Sequence, residues 1–170
     1  MRTGGGGPYH RDMYRRILPY LLLLGLPVHG AGDAALDRGT LRGLKAASVV
    51  IDKIDPQLEQ EGLTVDGLQR RVEQRLRSAG FTIDPAAVEF VGLRILATHP
   101  TKKVPYGICV MIGLYQPVTL NRDKNIKTAT QTWEAGTVLV AQPKLLIPST
   151  NDAADRVADQ LAAAWHSVYP

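Results

Sequence analysis

His99 and His166 are the two histidines that follow residue 32, and Cys109 is the single cysteine of the 170-residue chain. A metal site needs several such ligands at short, defined spacings, and no HExxH, paired cysteines or carboxylate-rich calcium loop accompanies these three. The sequence therefore implies neither a metal nor a cofactor. Ser48, Ser78, Ser149 and Ser167 sit outside any Gly-x-Ser-x-Gly elbow, so no nucleophile is marked for acyl transfer. Gly4 to Gly7 lack the Lys-Ser or Lys-Thr and the preceding strand of a phosphate loop. Asp52 and Asp55 place two carboxylates near one strand end, but Asp55 precedes Pro56, the position of a turn-forming aspartate. Cys109 lies in the apolar run YGICVMIGLY, where a free thiol serves as a small core hydrophobe rather than a reagent. The chain reads as non-catalytic.

What remains are side chains that bind rather than react: Tyr106, Tyr115, Arg122, Lys124, Gln131 and Trp133. All six fall on one pair of neighbouring extended segments and the turn that joins them. Residues 106–115 alternate, with Tyr106, Ile108, Val110, Ile112 and Leu114 on one face and Gly107, Cys109, Met111, Gly113 and Tyr115 on the other. Val118 and Leu120 carry the alternation past Pro117, which implies an edge or a bulge. Asn121 to Asn125 form a polar turn. Ile126 to Glu134 then return as the second strand of an antiparallel hairpin, with Ile126, Thr128, Thr130 and Thr132 alternating with Lys127, Ala129, Gln131 and Trp133. If helices cover one face of this hairpin, the other face is either simply solvated, as one side of an open antiparallel sheet commonly is, or it, or the edge beside it, receives a partner. The competing reading is a pocket between the sheet and the loop at residues 99–106, where His99, Tyr106 and Cys109 would serve a small ligand or a reaction.

The surrounding elements follow from periodicity and breakers. Leu44 to Ile54 is β-branched and ends at Asp55-Pro56, as a strand does, and Gln57 to Leu63 reads as a polar connection. Thr64 caps a helix with Asp66 in its first turn, whose apolar stripe is Val65, Leu68, Val72, Leu76 and Ala79 and whose stop is Gly80. Phe81 to Ile83 is a short strand cut off by Asp84-Pro85, and Val88 to Thr98 is a longer one. Ala135-Gly136 breaks the hairpin pattern, and Thr137 to Ala141 forms a further strand. Ser149, Thr150 and Asn151 offer caps for a closing helix in which Val157, Leu161, Ala164, Trp165 and Val168 keep helical spacing. The order β-α-β-β-β-β-α gives an α+β two-layer sandwich: a mostly antiparallel sheet with two amphipathic helices on one face.

The chain opens differently. Tyr14-Arg15-Arg16 precede a dozen mostly apolar residues from Ile17 to Val28, followed by the small residues Gly30, Ala31 and Gly32. That is the tripartite pattern of a secretory signal peptide, too short to span a bilayer as a helix. Residues 1–32 are thus expected to be a leader, cleaved before Ala31 or Asp33, and residues 33–170 a single periplasmic or secreted domain without stable membrane insertion. The net charge of +4 has the same origin. Arg2, Arg11, Arg15 and Arg16 lie before Asp33 with Asp12 as the lone acid, which leaves a domain of about +1. A neutral body lacks the basic stripe that nucleic-acid phosphates require.

The run Leu44-Lys45 to Ile54, then Leu63-Thr64-x-Asp66-x-Leu68-Gln69 and Val72-Glu73-x-x-Leu76-Arg77-x-Ala79-Gly80, leads into a long hairpin and a C-terminal helix. This layout resembles a group of small exported bacterial proteins of unknown function. It is also similar to the amino-terminal αβ domain of the periplasmic protein TolB. The resemblance carries no catalytic residue and implies contacts with envelope proteins. The sequence reading is therefore a monomeric or homodimeric envelope binding or adaptor domain whose contact surface is the hairpin from Tyr106 to Glu134.

Overall fold

The computed structural model describes residues 32–98 and 105–169, so the leader as far as residue 31 and the loop from His99 to Val104 lie outside the described residues. In chain order the elements are α1 (Ala35–Gly39), β1 (Ser48–Ile51), α2 (Pro56–Gln60), α3 (Val65–Ser78), β2 (Phe90–Ala97), β3 (Tyr106–Leu120), β4 (Asp123–Ala141) and α4 (Leu146–Val168). A 3-10 turn over Pro143–Leu145 leads into α4. The four strands form one sheet in the order β1-β2-β3-β4. Only β1 and β2 are parallel, and their crossover carries α2 and α3. The other pairs are antiparallel, which gives the α+β sandwich expected from the sequence.

The helices form where caps and stripes coincide. At the start of α3 the Gly67 N–H donates to Thr64 Oγ1 at 3.1 Å, satisfying one of the orphan donors of the first turn. Gly80, with φ +84°, ends that helix in the left-handed conformation. Leu68, Val72 and Leu76 of α3 are buried against the sheet and α4. From α4, Ala153, Ala154, Ala158, Ala162 and Ala164 are buried together with Val157, Leu161 and Trp165, small residues that let the helix lie close to its neighbours. Between the two helices, Asp155 receives Arg71 at 2.8 Å and Arg75 at 3.2 Å. The sheet supplies Val91, Leu93, Ile95, Ile108, Val110, Ile112 and Leu114 to the same core.

Four details depart from the sequence expectation. Gln57 to Leu63 is not simply a polar connection, because Pro56 opens the one-turn helix α2 with Asp55 Oδ1 accepting from the Gln57 N–H at 2.8 Å. Phe81 to Ile83 contributes only a parallel bridge, Ala47 to Ile83, before Asp84-Pro85 ends it. Ala135-Gly136 does not break the chain. β4 passes straight through it, with Gly136 opposite Met111 and the Met111 side chain lying over the glycine. Finally, α4 starts at Leu146, upstream of the expected caps, and the buried Thr150 hydroxyl donates to the Leu146 carbonyl one turn back, at 2.8 Å.

Candidate functional site: the open face of the sheet

Strand alternation decides what the helix-free face carries. Its rows, read across β2, β3 and β4, are Phe90–Tyr115–Gln131, Gly92–Gly113–Glu134, Arg94–Met111–Gly136 and Leu96–Cys109–Val138. One end of the face is polar. The Tyr115 ring stacks on Phe90, with centroids 4.7 Å apart and planes 2° from parallel. It leans over Gly92, where a Cβ would come within 2.9 Å of the ring. The Tyr115 hydroxyl donates to Gln131 Oε1 at 3.0 Å, and Gln131 Nε2 donates to Glu134 Oε2. Gln131 also fills the space above Gly113. Beside this chain Arg94 Nε donates to Asp52 at 2.6 Å. That hydrogen bond, the Asp52 charge and nearby Tyr115 hold the Arg94 guanidinium above its ordinary pKa.

The other end of the face is apolar. Val138 and Val140 are 76% and 74% exposed and Leu96 is 55% exposed. Between the two ends lies a hollow of about 60 Å³, lined by Asp52, Gly92, Arg94, Met111, Gly113 and Glu134 among others. Drug-sized ligands occupy roughly 300–1,000 Å³, so this hollow is too small to hold one.

β3 and β4 then run on beyond their neighbour. β2 pairs with β3 only as far as Tyr115, and from Gln116 onward β3 pairs with β4 alone, forming a two-stranded ribbon. Asp123 to Thr130 are all exposed along it. The ribbon root is fixed to the body by Thr40, whose carbonyl accepts from Gln116 Nε2 at 3.3 Å and whose hydroxyl donates to the Thr132 carbonyl at 3.2 Å.

Of the six side chains singled out from the sequence, Tyr115 and Gln131 meet on the open face, and Arg122 and Lys124 are exposed at the ribbon tip. Tyr106 and Trp133 lie on the other face. Tyr106 is buried under the helices, its hydroxyl accepting from Gln57 Nε2 at 3.2 Å. Trp133 is 1% exposed, and its Nε1 donates to Asp33 Oδ1 at 2.9 Å. Its reversal has a local cause. Leu114 pairs with Trp133 while Tyr115 pairs with Gln131, so Thr132 is an extra, bulged residue that puts Gln131 and Trp133 on opposite faces.

The same geometry separates two of the three residues expected to line a pocket. Tyr106 and Cys109 point to opposite faces of β3 and cannot converge on one ligand, and His99 lies outside the described residues. Cys109 is half-exposed on the open face rather than part of the core. Sequence reasoning passed over Phe90, Arg94, Leu96, Val138 and Val140, although the alternation through Val88 to Thr98 and Thr137 to Ala141 places them. Among the described residues no cluster of three or more His, Cys, Asp or Glu side chains could hold a metal, and no helix is long and apolar enough to cross a membrane.

No protein-family model and no curated protein matches this chain. Several solved structures are loosely similar. A PelC dodecamer from Paraburkholderia phytofirmans is 15% identical over 75% of this chain and 91% of that one, with a TM-score of 0.40. A minor lipoprotein from Acinetobacter baumannii is 12% identical over 70% and 90%, at 0.32. The rare lipoprotein B from Shewanella oneidensis is 18% identical over 72% and 98%, at 0.33. Likenesses this loose carry no argument about function. The similarity in layout to the TolB domain rests on the sequence alone.

Proposed function

We propose that the protein is an exported, non-catalytic binding or adaptor domain that meets another envelope protein through the β3–β4 ribbon and the open sheet face at its root. The observation that supports this most directly is the ribbon itself. A two-stranded hairpin is at best marginally stable alone in water, and this one extends past the sheet with Asp123 to Thr130 exposed. Its tip combines Arg122, Lys124 and Lys127 with Val118, Leu120 and Ile126, and its root presents the Tyr115–Gln131–Glu134 chain. Aromatic, arginine and aliphatic side chains on a surface that adds nothing to the core suit a protein contact. The leader pattern of residues 1–32 supports export.

The test is site-specific photo-cross-linking in the native host. A photoreactive residue at Thr119 or Lys124 is expected to give a covalent adduct with another protein, and the same residue at Arg70, on the exposed side of α3, is expected to give none. No adduct at either ribbon position would refute the contact surface. Mass spectrometry of the recovered chain reads export separately: a start near Ala31 or Asp33 supports it, and an uncleaved cytoplasmic chain overturns it.

A further inference from the structure

Strands at the edge of a sheet carry unpaired N–H and C=O groups, and proteins guard them with charge, proline, bulges, shortness or cover. The two edges of this sheet are guarded unequally. β1 is four residues long and is flanked by the Ala47 to Ile83 bridge. β4 is 19 residues long, and its stretch AGTVLVA from Ala135 to Ala141 contains no charge and no proline. Its register with β3 is unbroken over that stretch, so no bulge turns it away.

The Glu134 N–H donates to the Gly32 carbonyl at 3.2 Å, which shows that the polar backbone groups of Glu134 face away from β3. By the period of two, those of Gly136, Val138 and Val140 face the same way. Among the described residues, none of these three finds a hydrogen-bond partner on that side. Gly32 closes the edge at Glu134 and the end of the strand at Ala141 closes it at the other limit. Val138 stands at the middle of what is left open.

The geometry points to a second copy of this chain as the occupant: two β4 strands pair antiparallel about a two-fold axis at Val138. In that register Val138 faces Val138, Gly136 faces Val140 and Thr137 faces Leu139. A small residue stands beside a large one, or apolar beside apolar, and no row sets like charges together. The Glu134 end of each strand comes beside the Lys144 end of the other, so the flanking charges are opposite. A slipped register that set Glu134 against Glu134 would oppose like charges and collide with Gly32. On the open face, the apolar row Leu96–Cys109–Val138 would continue across the axis into the same row of the second copy, setting the two exposed Val138 side chains against each other. The product is an isologous dimer with one continuous eight-stranded sheet and its two ribbons pointing in opposite directions. The ribbons stay free, so this pairing goes beyond the adaptor reading and does not depend on it.

The decisive measurement is sedimentation velocity, at micromolar concentration, on the protein recovered from cells expressing all 170 residues. A dimer is expected. Val138→Pro removes an N–H that faces away from β3, and Val138→Lys places two ammonium groups at the axis. Each is expected to raise the dimer dissociation constant about tenfold or more. Val138→Thr and the ribbon variant Thr119→Lys should leave it unchanged. If Val138→Pro does not fold, Val138→Lys reads alone, since that side chain is exposed in the monomer. A wild-type monomer, or a dimer that survives the proline and lysine changes, overturns the proposal and leaves the edge to a strand from a different protein. Neither outcome touches the ribbon cross-linking, whose adduct is identified by its mass.

Discussion

Trp133 and Asp33, a hundred residues apart, close the end of the sheet nearest the ribbon with one hydrogen bond of 2.9 Å. Asp33 is also held by Arg38, at 2.6 Å, so the indole N–H meets a carboxylate that is already positioned. Trp133→Phe keeps most of the buried volume and loses this donor, with an expected cost of about 1–2 kcal/mol in urea unfolding. Trp133→Ala adds a cavity and should cost about 3–5 kcal/mol. A residue on the open face makes the complementary case. At Gly92 a Cβ would press on the Tyr115 ring, so Gly92→Val should expel that ring from its stack on Phe90. The expected signs are a weakened near-UV circular dichroism signal and a loss of about 1–3 kcal/mol. Residue identity alone made Trp133 look like a contact residue, since an aromatic on a two-sided strand suits either face. The deciding feature was the bulge at Thr132, which is a property of the pairing and has no sequence signature of its own.

Elements were legible in proportion to their length and period. α3 was readable from its cap, its stripe and its terminal glycine, all of which the structure uses. α1 and α2 have five residues each, too few to display a helical period, and the Asp55-Pro56 pair that reads as a strand end and turn is in the structure the cap and first-turn proline of α2. From its sequence β4 reads as two strands, because Ala135-Gly136 interrupts the alternation. Here Gly136 is the space into which Met111 leans, so the same residue that lowers intrinsic strand preference improves the fit between strands. The ribbon is the element whose removal says most. Beyond Pro117 and Ala129 its residues pair only with one another. Replacing Val118 to Thr128 by Asn-Gly, which closes a two-residue hairpin, should therefore change unfolding free energy by no more than about 1 kcal/mol. Thermal and urea unfolding would check this. The photo-adduct to another protein, read from the Gln131 position that survives the excision, should be lost in the same variant.

The whole molecule is a one-sided construction. Helices α3 and α4 and the inward rows of four strands make a single core, and among the described residues no helix packs on the opposite face of the sheet. That asymmetry was legible from alternation and helical stripes. The contact surface was less so, because binding surfaces use ordinary side chains, and which of them are displayed depends on strand order and register. The single core also fixes how the domain should unfold. Trp133 sits at the edge of the sheet, and Trp165 lies in α4, packed edge-on against Phe81 at 5.2 Å. Both indoles are buried in the same apolar cluster, one held by β4 and the other by the last helix. If the layers separated before the sheet melted, Trp165 would become exposed first, and tryptophan fluorescence would change ahead of the strand signal. With one continuous core, opening either layer exposes the apolar rows of the other, so neither layer has an intermediate state of low energy. Urea unfolding followed by tryptophan fluorescence and by far-UV circular dichroism should therefore give coincident midpoints and slopes, for the wild type and for a Trp133→Phe variant that reports from Trp165 alone. Separate transitions would mean that the helical layer is a cooperative unit of its own, and the open face would then not be the only surface of the sheet available to a partner.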